Sequence, residues 1–149
     1  GDTGLTDEYV EIRGRLGATD LVMLEVGAFH PAWGEIHLGP ENALTALEML
    51  GHAHGRSALL PVHWGTFNLA LHAWDEPPET LLRLAPARNV RLAMPRIGQP
   101  VEPARSGAVD PWWRAVAEAE KRGKRTVEEQ PPTSTDVNAG DAEMVLPID

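Results

Sequence analysis

Two short apolar runs on either side of a helical pattern constrain the fold of this chain most. Residues 20–26 (Asp-Leu-Val-Met-Leu-Glu-Val) end at Gly27, and residues 58–62 form a second run that leads directly into a histidine. Between them, Pro40 begins a stretch of alanine and leucine at helical spacing, and Gly51 ends it. A helical pattern that alternates with short apolar strands predicts an α/β layer fold.

The rest of the chain carries the same alternation of helical and extended patterns. We predict a first helix capped by Thr6 and ending at Gly17, a third helix from Asp75, a third strand over residues 89–94, an extended, edge-like stretch over residues 95–103, and a fourth helix from Asp110 to Gly123. Trp112 and Trp113 are adjacent on that last helix, so at most one of them can be fully buried.

Composition and charge argue against several classes of function. The 149 residues, 42% of them hydrophobic, suffice for one packed domain. The formal charge of −9 disfavours nucleic-acid binding and adsorption to anionic membranes, because both need a positive surface. No apolar run approaches about 18 residues, so we predict no transmembrane helix and expect a cytoplasmic location. The chain has no cysteine, so any metal site must use histidine and carboxylate ligands.

Three short segments hold the residues that could carry chemistry. They are residues 1–4 (Gly-Asp-Thr-Gly), 36–40 (Ile-His-Leu-Gly-Pro) and 63–67 (His-Trp-Gly-Thr-Phe). Asp2 lies in a tight glycine turn, where its carboxylate can face a cavity. His63 ends a predicted strand, and ligands of α/β sheets commonly bind where strands end. A carboxylate and an imidazole from separate loops suit zinc, which accepts both at about 2.0–2.2 Å.

The order of these motifs resembles the metallo-β-lactamase superfamily, and more narrowly its N-acyl-phosphatidylethanolamine-hydrolysing phospholipase D-type branch. The matching pieces are Gly-Asp-Thr-Gly (1–4), Gly-Ala-aromatic-x-Pro (27–31), Ile-His-x-x-Pro-Glu-x-Ala (36–43) and His-Trp-Gly-Thr-Phe (63–67). The resemblance implies that residues 1–105 form the carboxy-terminal half of a four-layer αββα sandwich. We expect a terminal helix over residues 106–123 and a disordered acidic tail over residues 124–149.

The resemblance also implies a site and a reaction. Asp2 would be the carboxylate that bridges two zinc ions, and His63 would be the last histidine ligand of one of them. His37 would line the cavity and position the phosphate or acyl head of the substrate. The metal pair would activate water for attack on phosphorus or a carbonyl. The implied function is a zinc-dependent hydrolase of a phosphodiester, such as an N-acyl-phosphatidylethanolamine-type phospholipid, with a lactone or another ester as the alternative small-molecule substrate.

The chain departs from this family in its ligand set. The family's His-x-His-x-Asp-His motif and one further histidine ligand are absent from the 149 residues. Two side chains cannot complete a dinuclear site. Gly1 is not a methionine, and we expect that the amino-terminal half of the domain is missing. We therefore predict that this chain alone binds zinc weakly and does not turn over, and that activity belongs to the intact parent.

Each candidate residue also has an ordinary structural interpretation. Asp2 could be a turn residue, His63 a hydrogen-bonded core histidine, and His37 a cap of the following helix. His30 and His72 are interpreted as rim residues. The alternative function is a non-catalytic α/β module that keeps the motifs as structural turns. The carboxylate of Asp2 and the imidazole of His63 within about 4–6 Å in one cleft would favour the enzyme, and opposite faces would favour the module.

Three tryptophans lie near the motif loops, namely Trp33, Trp64 and Trp74. They could form an apolar wall that binds a hydrophobic substrate, or they could simply pack in the core. The His-x-His pair at residues 52–54 is not assigned to metal, because no Asp-His follows it and it lies just past a predicted helix end. A nucleic-acid hydrolase of the same fold is opposed by the acidic balance.

Overall fold

The computed structural model describes residues 1–33, 36–51, 57–105 and 107–128. Helices and strands alternate along this part of the chain. In chain order they are α1 (Glu8–Leu16), β1 (Leu21–Glu25), α2 (Gly39–Met49), β2 (Ala58–Val62), α3 (Glu76–Leu84), β3 (Arg91–Leu92) and α4 (Trp112–Glu128). Short 3₁₀ turns lie at Pro31–Trp33, Ala85–Arg88 and Pro103–Arg105.

The three strands form a parallel sheet in the order β1-β2-β3. β1 and β2 pair along their whole length, from Leu21 opposite Ala58 to Glu25 opposite Val62. β3 pairs with the first two residues of β2. Because the strands run in one direction, the loops that follow β1 and β2 leave the sheet at the same edge. The predicted α/β class is confirmed, and this edge is where the candidate loops meet.

The helices supply most of the packed core. α2 buries Leu44 and Leu47 on its inner face and contacts α1, β1 and α3. α4 docks through Trp113, which is fully buried, whereas its neighbour Trp112 is only partly buried. The indole N–H of Trp113 donates to Glu79 of α3 at 2.8 Å. The prediction that only one of the adjacent tryptophans can be fully buried is confirmed.

Two helix boundaries differ from the sequence-based expectation. Thr6 does not cap α1 with its side chain; the helix begins after Asp7, and the Thr6 carbonyl accepts the Tyr9 N–H at 3.4 Å. α4 does not stop at Gly123 but continues to Glu128, because one helical glycine costs only about 1 kcal/mol between good helix formers. No described helix is both long and apolar enough to cross a membrane.

The third strand is shorter than predicted. Only Arg91–Leu92 is a strand, where residues 89–94 were expected, although the Ala93 N–H still donates to Leu59 at 2.8 Å. Asn89 is left-handed (φ 52°), which prevents an earlier start, and Pro95 has no N–H to continue the ladder. The predicted edge-like stretch over residues 95–103 forms no strand and contains a turn at residues 97–98.

One face of the sheet is only partly covered in the described chain. Met23 of β1 is 59% exposed, although its neighbours Val22 and Leu24 are buried. Further large apolar side chains are exposed after the carboxyl edge, among them Phe67, Leu69, Leu71 and Ile97. Uncovered apolar surface on sheet and loops is what we expect of half of a layered sandwich.

A bidentate ion pair joins α3 to α4. The guanidinium of Arg114 donates to Glu79 through Nε and Nη2, both at 2.7 Å. These bonds hold the pKa of Glu79 below its ordinary value, with a further contribution from the Trp113 N–H, against the opposing effect of burial. The pair therefore stabilises the fold when the pH is above the unfolded pKa of Glu79, and this contribution is lost as the pH falls through the lowered folded pKa.

We predict that Glu79→Gln will remove part of this pH dependence. At pH 7 the variant should unfold at a slightly lower temperature than the wild type, a small effect because solvent screens a half-exposed pair. The difference in Tm should shrink as the pH falls below about 4.5, the ordinary glutamate value. Thermal unfolding followed by circular dichroism from pH 7 to 3 measures it, and a constant difference over that range would contradict the prediction.

Candidate metal centre

Three candidate residues reach the carboxyl edge of the sheet from separate segments. His63 follows β2 directly and has a left-handed backbone (φ 63°), as does Ala28 in the neighbouring loop after β1 (φ 45°). Such φ values are uncommon outside glycine and tend to occur at functional sites. His37 lies two residues before α2, and Asp2 lies in the segment that precedes α1.

The side chains of these residues converge. Asp2 Oδ1 lies 2.8 Å from Nε2 of His63 and 3.9 Å from Nε2 of His37. One ligand atom of each residue lies within 4.8 Å of the other two. Asp2 and His63 are open to solvent, with 67% and 38% of their side chains exposed, whereas only 15% of His37 is exposed. The 2.8 Å between Asp2 and His63 meets the distance part of the criterion that favours the enzyme over a structural module, whereas Asp2 lines neither of the two cavities beside the cluster.

The donor set fits a zinc ion. One carboxylate and two imidazoles are ligands that zinc accepts, and both imidazoles turn Nε2 towards the same carboxylate oxygen. The opposite nitrogen of His37, Nδ1, is buried without a hydrogen-bond partner among the described residues. The sequence pointed to Asp2 and His63 as ligands, and the structure adds His37 as a third ligand candidate. Three protein ligands leave a zinc ion one further coordination position.

A buried carboxylate lies below this cluster. Glu25 ends β1 and is 1% exposed, and its Oε1 accepts the N–H of Leu38 at 2.8 Å. Burial raises the pKa of Glu25, while the Leu38 N–H and the nearby His37 oppose the rise. The sequence analysis assigned no role to Glu25. The signal that could have found it is a single carboxylate within an otherwise apolar strand.

Two cavities flank the cluster. The first, of about 360 Å³, is lined by His37, by apolar residues such as Phe29 and Trp33, and by polar and charged residues of α2 and α3, among them Asn42, Glu41, Glu76, Thr80 and Arg83. The second, of about 330 Å³, is lined by His63 and mostly apolar residues. The cluster therefore borders a cavity of mixed polar and apolar lining through one imidazole and a mostly apolar cavity through the other.

The three tryptophans do not form one wall. Trp33 lines the first cavity, with its ring centroid 6.3 Å from that of His37, whereas Trp64 and Trp74 line the second. Trp64 also packs against Trp113 of α4, with ring centroids 5.6 Å apart, and its indole N–H donates to the Pro61 carbonyl at 3.1 Å. Trp64 thus fits the packing interpretation as well as the cavity interpretation.

The remaining histidines lie around the site or outside the described chain. His30 lines the first cavity, where its Nδ1 accepts the Ala32 N–H at 3.1 Å. His72 lines the second cavity, and its Nε2 accepts the Phe29 N–H at 3.2 Å. Both positions match the interpretation as rim residues. The His-x-His pair at residues 52–54 lies outside the described residues.

Fold and site together define an α/β protein with a carboxylate and imidazole cluster at the carboxyl edge of a parallel sheet. The model of the family described as "Beta-lactamase superfamily domain" matches residues 1–64, which include all three cluster residues. The chain is 44% identical over 115 residues to uncharacterized proteins of Mycobacterium tuberculosis and Mycobacterium bovis, an alignment that covers 76% of this chain and 30% of each relative. It is 32% identical over 93 residues to the N-acyl-phosphatidylethanolamine-hydrolyzing phospholipase D 1 of Caenorhabditis elegans, covering 60% of this chain and 25% of that protein.

These matches support assignment of the chain to the β-lactamase superfamily. The helices and small parallel sheet are consistent with part of its α/β fold. The aligned region is less than a third of the length of the curated relatives.

Proposed function

We propose that this chain supplies part of the metal site of a zinc-dependent hydrolase, with Asp2 and His63 as ligands. The observation that carries the proposal is the convergence of Asp2, His37 and His63 within 4.8 Å at the carboxyl edge of the sheet. The superfamily match over residues 1–64 supports it. We propose that the remaining ligands of a two-zinc site come from the amino-terminal part of the intact parent.

The residues have distinct roles in this proposal. Asp2 is exposed and has two carboxylate oxygens, so it can bridge two cations. His63 would hold one of them through Nε2, the nitrogen that faces Asp2. His37 is the least exposed of the three and borders the first cavity, so it would position the substrate head beside the metals. Bound zinc would lower the pKa of a water molecule and stabilise negative charge on the attacked group.

We propose a phospholipid phosphodiester as the substrate of the intact parent. The name of the nematode relative supports this class of substrate. The two cavities also suit a molecule with a polar and an apolar part, because charged residues, namely Arg83, Glu41 and Glu76, contribute to the lining of the first, whereas Phe67, Leu69 and Trp74 line the second. Hydrolysis of vesicles that contain N-acyl-phosphatidylethanolamine by the intact parent, with and without Asp2→Ala, tests the substrate class.

Zinc titration of the 149-residue chain tests the metal site itself. We expect weak binding by the wild type, and at least about a tenfold loss of affinity in Asp2→Ala and in His63→Ala, since each removes a ligand. Asp7→Ala and His30→Ala are matched controls, because Asp7 makes no side-chain cap bond and His30 lies at the rim. Equal affinities in all five proteins would overturn the assignment of Asp2 and His63. Tight stoichiometric binding by the wild type would contradict the prediction that ligands are missing.

A further inference from the structure

The loop that joins β2 to α3 carries large apolar side chains that the described chain leaves in solvent. Phe67, Leu69 and Leu71 are 73%, 71% and 85% exposed. A single exposed apolar residue is ordinary, but three within five residues form a patch, and such patches mark docking sites. We call residues 67–71 the apolar loop.

The apolar loop is fixed to the fold on both sides. Before it, the indole N–H of Trp64 donates to the Pro61 carbonyl at 3.1 Å, and the ring packs against Trp113. After it, His72 stacks on Phe29, with ring centroids 4.5 Å apart, and accepts the Phe29 N–H at 3.2 Å. The exposed side chains therefore lie between two anchored points.

The apolar loop also borders the second cavity. Phe67 and Leu69 line this cavity, which extends to the proposed zinc ligand His63. Trp64 and Trp74, which flank the loop, line it as well. Tryptophan combines an apolar ring with one polar N–H, so it suits the boundary between water and lipid. The exposed apolar surface is thus continuous with a mostly apolar cavity beside the metal site.

Charge indicates which partner fits this surface. Residues 63–74 contain no Asp, Glu, Lys or Arg, so the loop can enter an apolar medium without burying a charge. The formal charge of the chain is −9, which opposes binding to anionic lipids. An uncharged loop on an acidic protein matches a zwitterionic bilayer, where burial of apolar area supplies the attraction.

We propose that the apolar loop docks on a zwitterionic phospholipid bilayer, with Phe67, Leu69 and Leu71 inserted at the level of the acyl chains and the second cavity facing the lipid. The choice of lipid rests on the proposed function. The inference deepens that function by naming the source of the substrate, which is a bilayer and not lipid dissolved in water.

A fluorescent label at Leu71 tests the insertion directly. The chain has no cysteine, so Leu71→Cys gives one site for an environment-sensitive fluorophore. Phosphatidylcholine vesicles, added with a chelator and no zinc, should shift the emission to shorter wavelength. Leu16→Cys is the matched control, because Leu16 ends α1 and is 77% exposed, and its label should not respond. Anionic lipid in the vesicles should not strengthen the response.

Vesicle flotation measures the contribution of the side chain. Leu71→Ser should bind phosphatidylcholine vesicles at least about tenfold more weakly than the wild type, because a leucine side chain no longer leaves water. Leu16→Ser should bind like the wild type. Leu71 does not contribute to the lining of the second cavity, so its replacement leaves the shape of that cavity intact.

Several results would overturn the docking surface. An unchanged emission at position 71, or equal vesicle affinity of Leu71→Ser and the wild type, would exclude insertion. Dimers of the wild type that Leu71→Ser dissociates, seen by analytical ultracentrifugation, would assign the loop to a second copy of the chain. Vesicle binding of the intact parent that Leu71→Ser does not change would assign the loop to contacts with the amino-terminal part.

The absence of zinc from these measurements separates this inference from the proposed function. A chain that binds zinc through Asp2 and His63 but not vesicles would overturn the docking surface alone. A chain that binds vesicles through the apolar loop but shows no zinc affinity would overturn the proposed metal site and leave the docking surface standing.

Discussion

Replacing Trp113 with alanine should lower the free energy of unfolding by about 3–5 kcal/mol, the range for a large buried aromatic side chain. Trp113 is fully buried and lies edge-on to Trp64, with ring centroids 5.6 Å apart. Its N–H bond to Glu79 joins α4 to α3, and alanine cannot replace it. Urea denaturation followed by far-ultraviolet circular dichroism measures the loss without relying on tryptophan fluorescence.

Trp112→Ala is the matched control for this prediction. Trp112 is the same residue type one position earlier, but it is partly exposed and its indole nitrogen has no partner among the described residues. Its loss should cost about 1–2 kcal/mol, because less apolar area returns to water. Equal losses in the two variants would show that the docking of α4 does not depend on the burial of Trp113.

The parts of the fold that were predicted correctly depend on long apolar patterns. Runs of apolar residues predict β1, β2 and the central parts of the helices. Burial of these residues stabilises the elements regardless of the conformation of the connecting loops. The errors lie where a single backbone conformation decides the outcome. Asn89 in a left-handed conformation shortens β3, and Gly123 is tolerated within α4. Neither follows from hydrophobic periodicity.

The candidate site was predictable only in part for a similar reason. The convergence of Asp2 and His63 was expected from the order of the motifs, not from the spacing of the two residues along the chain. The position of His37 beside them depends on how residues 36–38 pack against the end of β1, where the Leu38 N–H donates to the Glu25 carboxylate. Contacts of this kind depend on tertiary packing and produce no hydrophobic periodicity in the sequence.

Gly27→Ala should both destabilise the fold and impair the metal site. A Cβ atom at Gly27 would overlap the backbone carbonyl of His63 and lie 3.1 Å from Cα of Trp64. These are backbone atoms that no rotamer change can move, so the loops after β1 and β2 must separate. We expect a loss of about 3 kcal/mol, at the upper end of the range for overpacking, by urea denaturation. Zinc affinity should also fall, since His63 moves away from Asp2.

Gly14→Ala is the matched control for the close approach of Gly27 to the His63 backbone. Gly14 lies inside α1, and a Cβ atom there would meet nothing within 4 Å. Alanine should therefore leave the stability unchanged or raise it by about 0.5–1 kcal/mol through its better helix propensity. A Gly27→Ala protein as stable as Gly14→Ala, with wild-type zinc affinity, would mean that the two loops are not in contact. In that case His63 would not be held beside Asp2 by the sheet edge, and the metal centre would lose its physical basis.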